Sequence, residues 1–124
     1  MASTIDAAGQ IKLATLDEAL IAAQRLHGIV EHMAVAVKTQ QNAGPYVQQL
    51  KRAATPLVGL LKPQFSLLSD QVTQIVLVAT RSGSEQLKVR ALRGAVAQFR
   101  MQVEVSMTRV KDQHAVKPQQ PSGE

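Results

Sequence analysis

The sequence predicts an all-α fold, an antiparallel up-and-down four-helix bundle, on three observations. From Leu16 to Val110 apolar residues recur every three or four positions, the spacing of one face of a helix. Only a few Gly, Pro and Ser positions interrupt the pattern, so connections are short and neighbouring helices run antiparallel. Hydrophobic residues make up 45% of the 124-residue chain but aromatics only 2%. Leu, Val, Ile and Ala must therefore fill the interior, which suits helix-on-helix packing better than a sandwich built on aromatic cross-strand pairs. The alternative is a three-helix bundle in which one long helix is kinked near Pro56 and Pro63.

Residues 1–14 are small and polar and are expected to be flexible or partly helical. Thr15-Leu16-Asp17-Glu18 has the form of a capping box, in which a threonine hydroxyl and a glutamate three residues later satisfy orphan amides. From there Leu16, Ala19, Leu20, Ala23, Leu26, Val30, Met33 and Val37 form one stripe. Asn42 and Gly44 then favour a C-cap. Pro45 suits the first turn of a second helix, where its missing N–H is no loss. Val47, Leu50, Ala54, Leu57 and Leu61 make that helix's inner face. Pro56 lies within it, and because the stripe continues in phase a bend is expected there rather than a stop.

Lys62-Pro63 marks the next boundary. A third helix starts near Gln64 with Phe65, Leu68, Val72, Ile75, Val76 and Ala79 inward. Arg81-Ser82-Gly83-Ser84 combines a stop with a start, glycine ending one helix and serine capping the next. The fourth helix runs from Glu85 to about Lys111, with Val89, Leu92, Val96, Phe99, Val103 and Val110 on one side. The bundle domain is thus expected over residues 15–112, and the Pro- and Gln-rich tail, residues 113–124, reads as disordered.

Composition removes several classes of function. There is no cysteine, so disulfides, thiolate metal sites and thiol nucleophiles are all absent. The opening residues lack the charged start and apolar run of a signal peptide, and no apolar stretch approaches the roughly 20 residues needed to cross a bilayer. The expectation is a cytoplasmic protein with no membrane span. Glycine-rich phosphate loops, Gly-x-Ser-x-Gly elbows and clustered acidic ligands are missing as well. The chain therefore reads as non-enzymatic, with no catalytic residue, no metal site and no cofactor.

The histidines are the remaining candidates for chemistry. His27 and His32 are five apart, so they point in different directions and cannot grip one metal as an i, i+4 pair does. His27 sits at the stripe's edge, where a hydrogen bond to Glu31 is expected. His32 falls on the polar side. Histidine phosphotransfer domains are four-helix bundles of about this size, and His32 has the exposure such a role needs. The small residue of their pattern is matched by Val35-Ala36, but the basic residue beside the histidine is absent. Met33, Met101 and Met107 read as gap-filling core rather than haem ligands partnered by His27.

Charge and surplus apolar residues point to surfaces instead. Residues 1–44 hold four acids (Asp6, Asp17, Glu18, Glu31) against three bases (Lys12, Arg25, Lys38), so the whole net charge of +5 originates in residues 45–124. Arg90, Arg93, Arg100 and Lys111 form a basic ridge on the fourth helix, placed opposite its core stripe. Such a ridge suits phosphates or an acidic surface, although the stacking aromatics of nucleic-acid binders are lacking. Leu67, Leu77 and Val78 on the third helix, and Leu87, Met101 and Val105 on the fourth with Gly94 between them, lie off the principal stripes. A bundle needs one stripe per helix, so Leu67, Val78, Leu87, Gly94, Met101 and Val105 are read as an interaction surface. The preferred function is an adaptor or assembly module, a homo-oligomer joined through helices 3 and 4 or a binder of another protein. Nucleic-acid or acidic-surface binding through the ridge comes second, and phosphotransfer through His32 third.

Overall fold

In the computed structural model, which describes residues 4–116, four helices form an antiparallel bundle: α1 (Ala7–Lys38), α2 (Gly44–Leu61), α3 (Ser66–Thr80) and α4 (Glu85–Gln113). Each packs on its two neighbours around a square, α1 against α2 and α4, and α3 against α2 and α4. The predicted stripes converge on one core. Leu16, Leu26, Met33, Leu50, Leu61, Val72, Ile75, Leu92 and Phe99 are all completely buried. Phe99 is the one fully buried aromatic among them. The three-helix alternative fails because the chain leaves helical geometry at Lys62–Phe65. Pro63 has no N–H to continue α2, and the turn closes with the Phe65 amide donating to the Leu61 carbonyl at 2.7 Å. Pro56, by contrast, is carried within α2, as the unbroken phase of its stripe requires.

The helices are unequal, and this sets the molecule's shape. At 1.5 Å per residue, α1 and α4 (32 and 29 residues) are about 48 and 44 Å long, against about 27 and 22 Å for α2 and α3 (18 and 15 residues). The α2–α3 hairpin thus covers only part of the α1–α4 pair. Its Leu57 and Leu60 lie beside Glu18 and Ile21 of α1, and Leu67 lies beside Gln102 and Ser106 of α4. The first turns of α1 and the last of α4 run on beyond it as a two-helix arm.

That arm adds helix to both sides of residues 15–112, and the segment expected to be flexible or partly helical is helical from Ala7. The helix begins at Ala7, not at the Thr15 box. Asp6 is the N-cap, its carboxylate accepting from the Gly9 amide at 2.7 Å. Thr15 lies within the helix and its hydroxyl donates to the Ile11 carbonyl. Residues 113–116, expected in the disordered tail, are also placed. Gln113 closes α4, and Ala115–Val116 (β2) pair antiparallel with Thr4–Ile5 (β1). The rest of that tail, residues 117–124, lies outside the described residues.

At its other end α1 stops by a Schellman motif. The Gln41 amide donates to the Ala36 carbonyl at 2.7 Å and the Gln40 amide to Val37 at 3.2 Å. Gln40 takes the left-handed position usually given to glycine, with φ 60°, at a cost of about 1–2 kcal/mol. The expected Gly44 is instead the first residue of α2, its amide held by the Asn42 side chain at 2.9 Å. At the α3–α4 connection Gly83 has φ 135° and Ser84 caps α4 by accepting from the Leu87 amide, as the sequence predicts.

Candidate interaction surface

Seven residues span two turns of a helix, so Leu87, Gly94 and Met101 lie nearly above one another on α4, with Val105 beside the line. This line is on the far side of the helix from Val89, Leu92, Val96, Phe99 and Val103, all of which are buried. Leu87 is 63% exposed, Met101 49% and Val105 42%. Gly94 is exposed as well, and a side chain added there would meet nothing within 4 Å.

The α3 members of the predicted surface behave differently. Leu67 is 78% exposed and borders an open groove against Gln102, Ser106 and Arg109 of α4. Val78 is half-buried and packs against the core, so it is a margin residue and not part of a free surface. It shares a shallow groove with Leu87 and Ala91 at the α3–α4 connection. Val78 and Leu87 are therefore brought together at one end of the hairpin and Leu67 is placed at the other. The outer line of α4 runs between them.

The basic ridge is also repositioned. Arg93, Arg100 and Lys111 flank the core stripe on the side facing α1, and only Arg90 turns farther outward. They do not stand opposite the core. Arg93 is committed to Glu31 of α1 through a two-pronged ion pair, Nε to Oε2 at 2.8 Å and Nη2 to Oε1 at 2.9 Å. The Arg93 guanidinium holds the Glu31 carboxyl below its ordinary value, and Glu31 in turn raises Arg93. The pair lines an open groove of about 690 Å³ together with Val35, Lys38, Gln86 and Arg90. Arg90, Arg100 and Lys111 make no ion pair among the described residues.

This arrangement displaces the expected His27–Glu31 hydrogen bond, since Arg93 takes both carboxylate oxygens. His27 is exposed and makes no hydrogen bond among the described residues. His32 is exposed too, but its ring lies against Tyr46 of α2, with centroids 5.9 Å apart and planes tilted by 45°. Among the described residues no basic side chain pairs with it. Among the described residues no three His, Asp or Glu side chains gather where they would hold a metal ion, and no helix is long and apolar enough to cross a membrane.

One cluster was missed by sequence reasoning. At the end of the arm the His114 ring bridges to α1. Nδ1 meets the Asp6 carboxylate at 3.1 Å and Nε2 meets Lys12 Nζ at 3.1 Å. The Asp6 amide donates to the His114 carbonyl at 3.1 Å. The Gly9 amide, with His114 and Lys12 adding, holds the Asp6 carboxyl below its ordinary value. Gly9 is buried under His114, and a Cβ on it would lie 2.5 Å from both His114 Cβ and Ile5 Cγ2. The signals were present as an Asp before two alanines and a glycine, but their partner is 108 residues away. The cluster fastens the two ends of the described chain together, half of it open to solvent, and no cleft for a substrate adjoins it among the grooves described above.

The residues described define a helical-bundle protein with an apolar outer face. Comparison with known proteins adds nothing to this class, because no family model, no curated protein and no solved structure matches the chain.

Proposed function

We propose that the protein is a non-enzymatic assembly module that acts by binding protein, and that it self-associates through the α3–α4 side of the bundle. One observation carries this reading. The outer line Leu87–Gly94–Met101, with Val105, is as apolar as a packing stripe, yet no other part of the described chain covers it. Burying such side chains contributes about 25 cal/mol per Å² of apolar surface removed from water, so leaving them exposed is disfavoured unless another chain covers them. Leu67, 78% exposed on α3 and bordering a groove against α4, widens the same side.

The ridge reading is weakened by the geometry. Arg93 is spent on Glu31, and the remaining Arg90, Arg100 and Lys111 are separated along α4 with Glu104 among them. Phosphotransfer through His32 gains no basic partner. A cytoplasmic location is part of this reading.

Sedimentation equilibrium across a wide concentration range tests the proposal. A dimer that the double substitution Leu87→Gln, Met101→Gln returns to monomer is the expected result. A wild-type chain that stays monomeric at about millimolar concentration, weaker than any specific interface in the usual range, overturns self-association.

A further inference from the structure

We infer that two copies of this chain pair α4 against α4, antiparallel about a two-fold axis that passes between Ala97 and Gln98, with Met101 of each copy seated over Gly94 of the other. The inference rests on the self-association reading and specifies its geometry. A two-fold interface uses one patch twice, so it must be complementary to itself. The outer face of α4 meets that condition in three ways.

The first is shape. Seven-residue spacing lets a line of side chains stay on one seam when two helices cross at a small angle. In this seam a projecting Met101 and an empty Gly94 are one heptad apart. Antiparallel pairing sets projection against gap twice. Parallel pairing sets Met101 on Met101 and gap on gap. Gly94 also lacks a purpose within the chain. A mid-helix glycine costs about 1 kcal/mol relative to alanine, and no neighbour within 4 Å requires its small size.

The second is charge. Arg90 and Glu104 are both exposed, both without an ion pair among the described residues, and both on the same flank of the seam, the flank towards α1. In an antiparallel two-fold pair like flanks meet. The register that places Met101 over Gly94 brings Arg90 of one copy within one residue's rise, about 1.5 Å along the axis, of Glu104 of the other. Two ion pairs result. A parallel pair would set unlike flanks together and leave Arg90 and Glu104 on opposite edges of the seam.

The third is the other flank, where the same register sets Val105 against the small Ala91 and brings Gln98 beside its own copy near the axis. The outer line of α1, Ile21–Gly28–Val35, has the same apolar–glycine–apolar spacing but lacks this self-match, because its Glu18 and Lys38 lie on opposite flanks.

A charge swap on the full-length chain tests this. Arg90→Glu and Glu104→Arg, each alone, are expected to weaken the dimer by about tenfold or more, and the double variant to recover most of that loss, since it restores both pairs. Circular dichroism reports whether each variant keeps its helices. Because the chain has no cysteine, a second arm is clean. Oxidising an equimolar mixture of Gly94→Cys and Met101→Cys chains should link one variant to the other and neither to itself. A dimer in which the double variant is no better than the singles, or in which Gly94→Cys links to itself, overturns the antiparallel geometry and leaves self-association standing. A dimer broken by Ile21→Gln with Val35→Gln instead moves the interface to α1. A wild-type monomer removes both readings.

Discussion

On one side of α4, Val89, Leu92, Val96, Phe99 and Val103 are at most 6% exposed, while on the other Leu87, Met101 and Val105 are 42% or more exposed. Both sides are apolar and both repeat at helical spacing. The difference comes from the neighbours. The inner side faces the stripes of α1, α2 and α3 across a closed square, whereas the outer side faces nothing within the described chain. An apolar stripe thus becomes core only where other elements arrive to cover it, and a stripe left over is the place where a further chain can be accommodated. Substitutions on the two sides should separate these roles.

The largest effect belongs to the inner side. Phe99 is completely buried where the four stripes converge. Phe99→Ala removes the one large aromatic of the core and leaves a cavity that Leu and Val neighbours fill only partly, at a cost of about 3–5 kcal/mol. Urea denaturation followed by circular dichroism measures this. A loss below about 1 kcal/mol would mean that Phe99 is not where the stripes meet.

Two glycines give the next contrast, and here the signs differ. Gly9→Ala gains helix propensity, but its Cβ must displace His114 Cβ and Ile5 Cγ2, neither of which is a flexible side-chain tip. Overpacking of this kind outweighs the propensity gain, and a net loss of roughly 1–2 kcal/mol is expected. Protection of the paired β1–β2 amides from hydrogen exchange should fall with it. Gly94→Ala meets open space and should raise the monomer's stability by about 0.5–1 kcal/mol. Stabilisation by both substitutions would remove the close contact inferred for the arm.

These positions also show how far the sequence could be read. The stripes of α2, α3 and α4, the break at Lys62-Pro63 and the Gly83-Ser84 connection depend on residues within a turn or two of one another, and local pattern is enough to place them. The start of α1 lies ahead of the predicted Thr15 box, at Asp6. Asp6 caps the Gly9 amide locally and is also held by His114, 108 residues away, a contact that no local pattern contains. The same holds for Arg93, whose position on the wheel reads as surface until Glu31 of a different helix is brought beside it. Val78 shares a groove with Leu87 but packs against the core while Leu87 stays exposed, a difference set by neighbouring helices and not by local pattern. The outer seam was legible as residues but not as a surface, because periodicity alone does not say which of two stripes is covered.

The ion pairs give a smaller effect, confined to acid. Asp6 and Glu31 are both held below their ordinary values in the folded chain, so the unfolded chain binds protons more readily. Their contribution is complete above the ordinary carboxylate range, at about pH 5 and higher, and is lost as pH falls through the lowered folded values. Since both pairs are open to solvent, the effect is modest and is reduced further by salt. Asp6→Asn with Glu31→Gln should lower stability at neutral pH and lose less between about pH 5 and pH 2. Wild-type and variant curves that run parallel through that range would contradict this account of the two pairs.

The smallest effect on stability is expected on the outer side, and it carries the comparison furthest. Leu87→Gln and Met101→Gln replace exposed apolar side chains by a residue of similar helix propensity. Neither side chain packs on the core, so unfolding of the isolated monomer should change by no more than about 0.5 kcal/mol for each. The proposed dimer, however, would be stabilised by mass action as concentration rises. Its melting temperature should therefore climb with protein concentration, while that of the double variant stays flat. At high dilution the two should melt together. A difference that persists at every concentration would place Leu87 and Met101 in the fold itself, and the two sides of α4 would then no longer be distinct in kind.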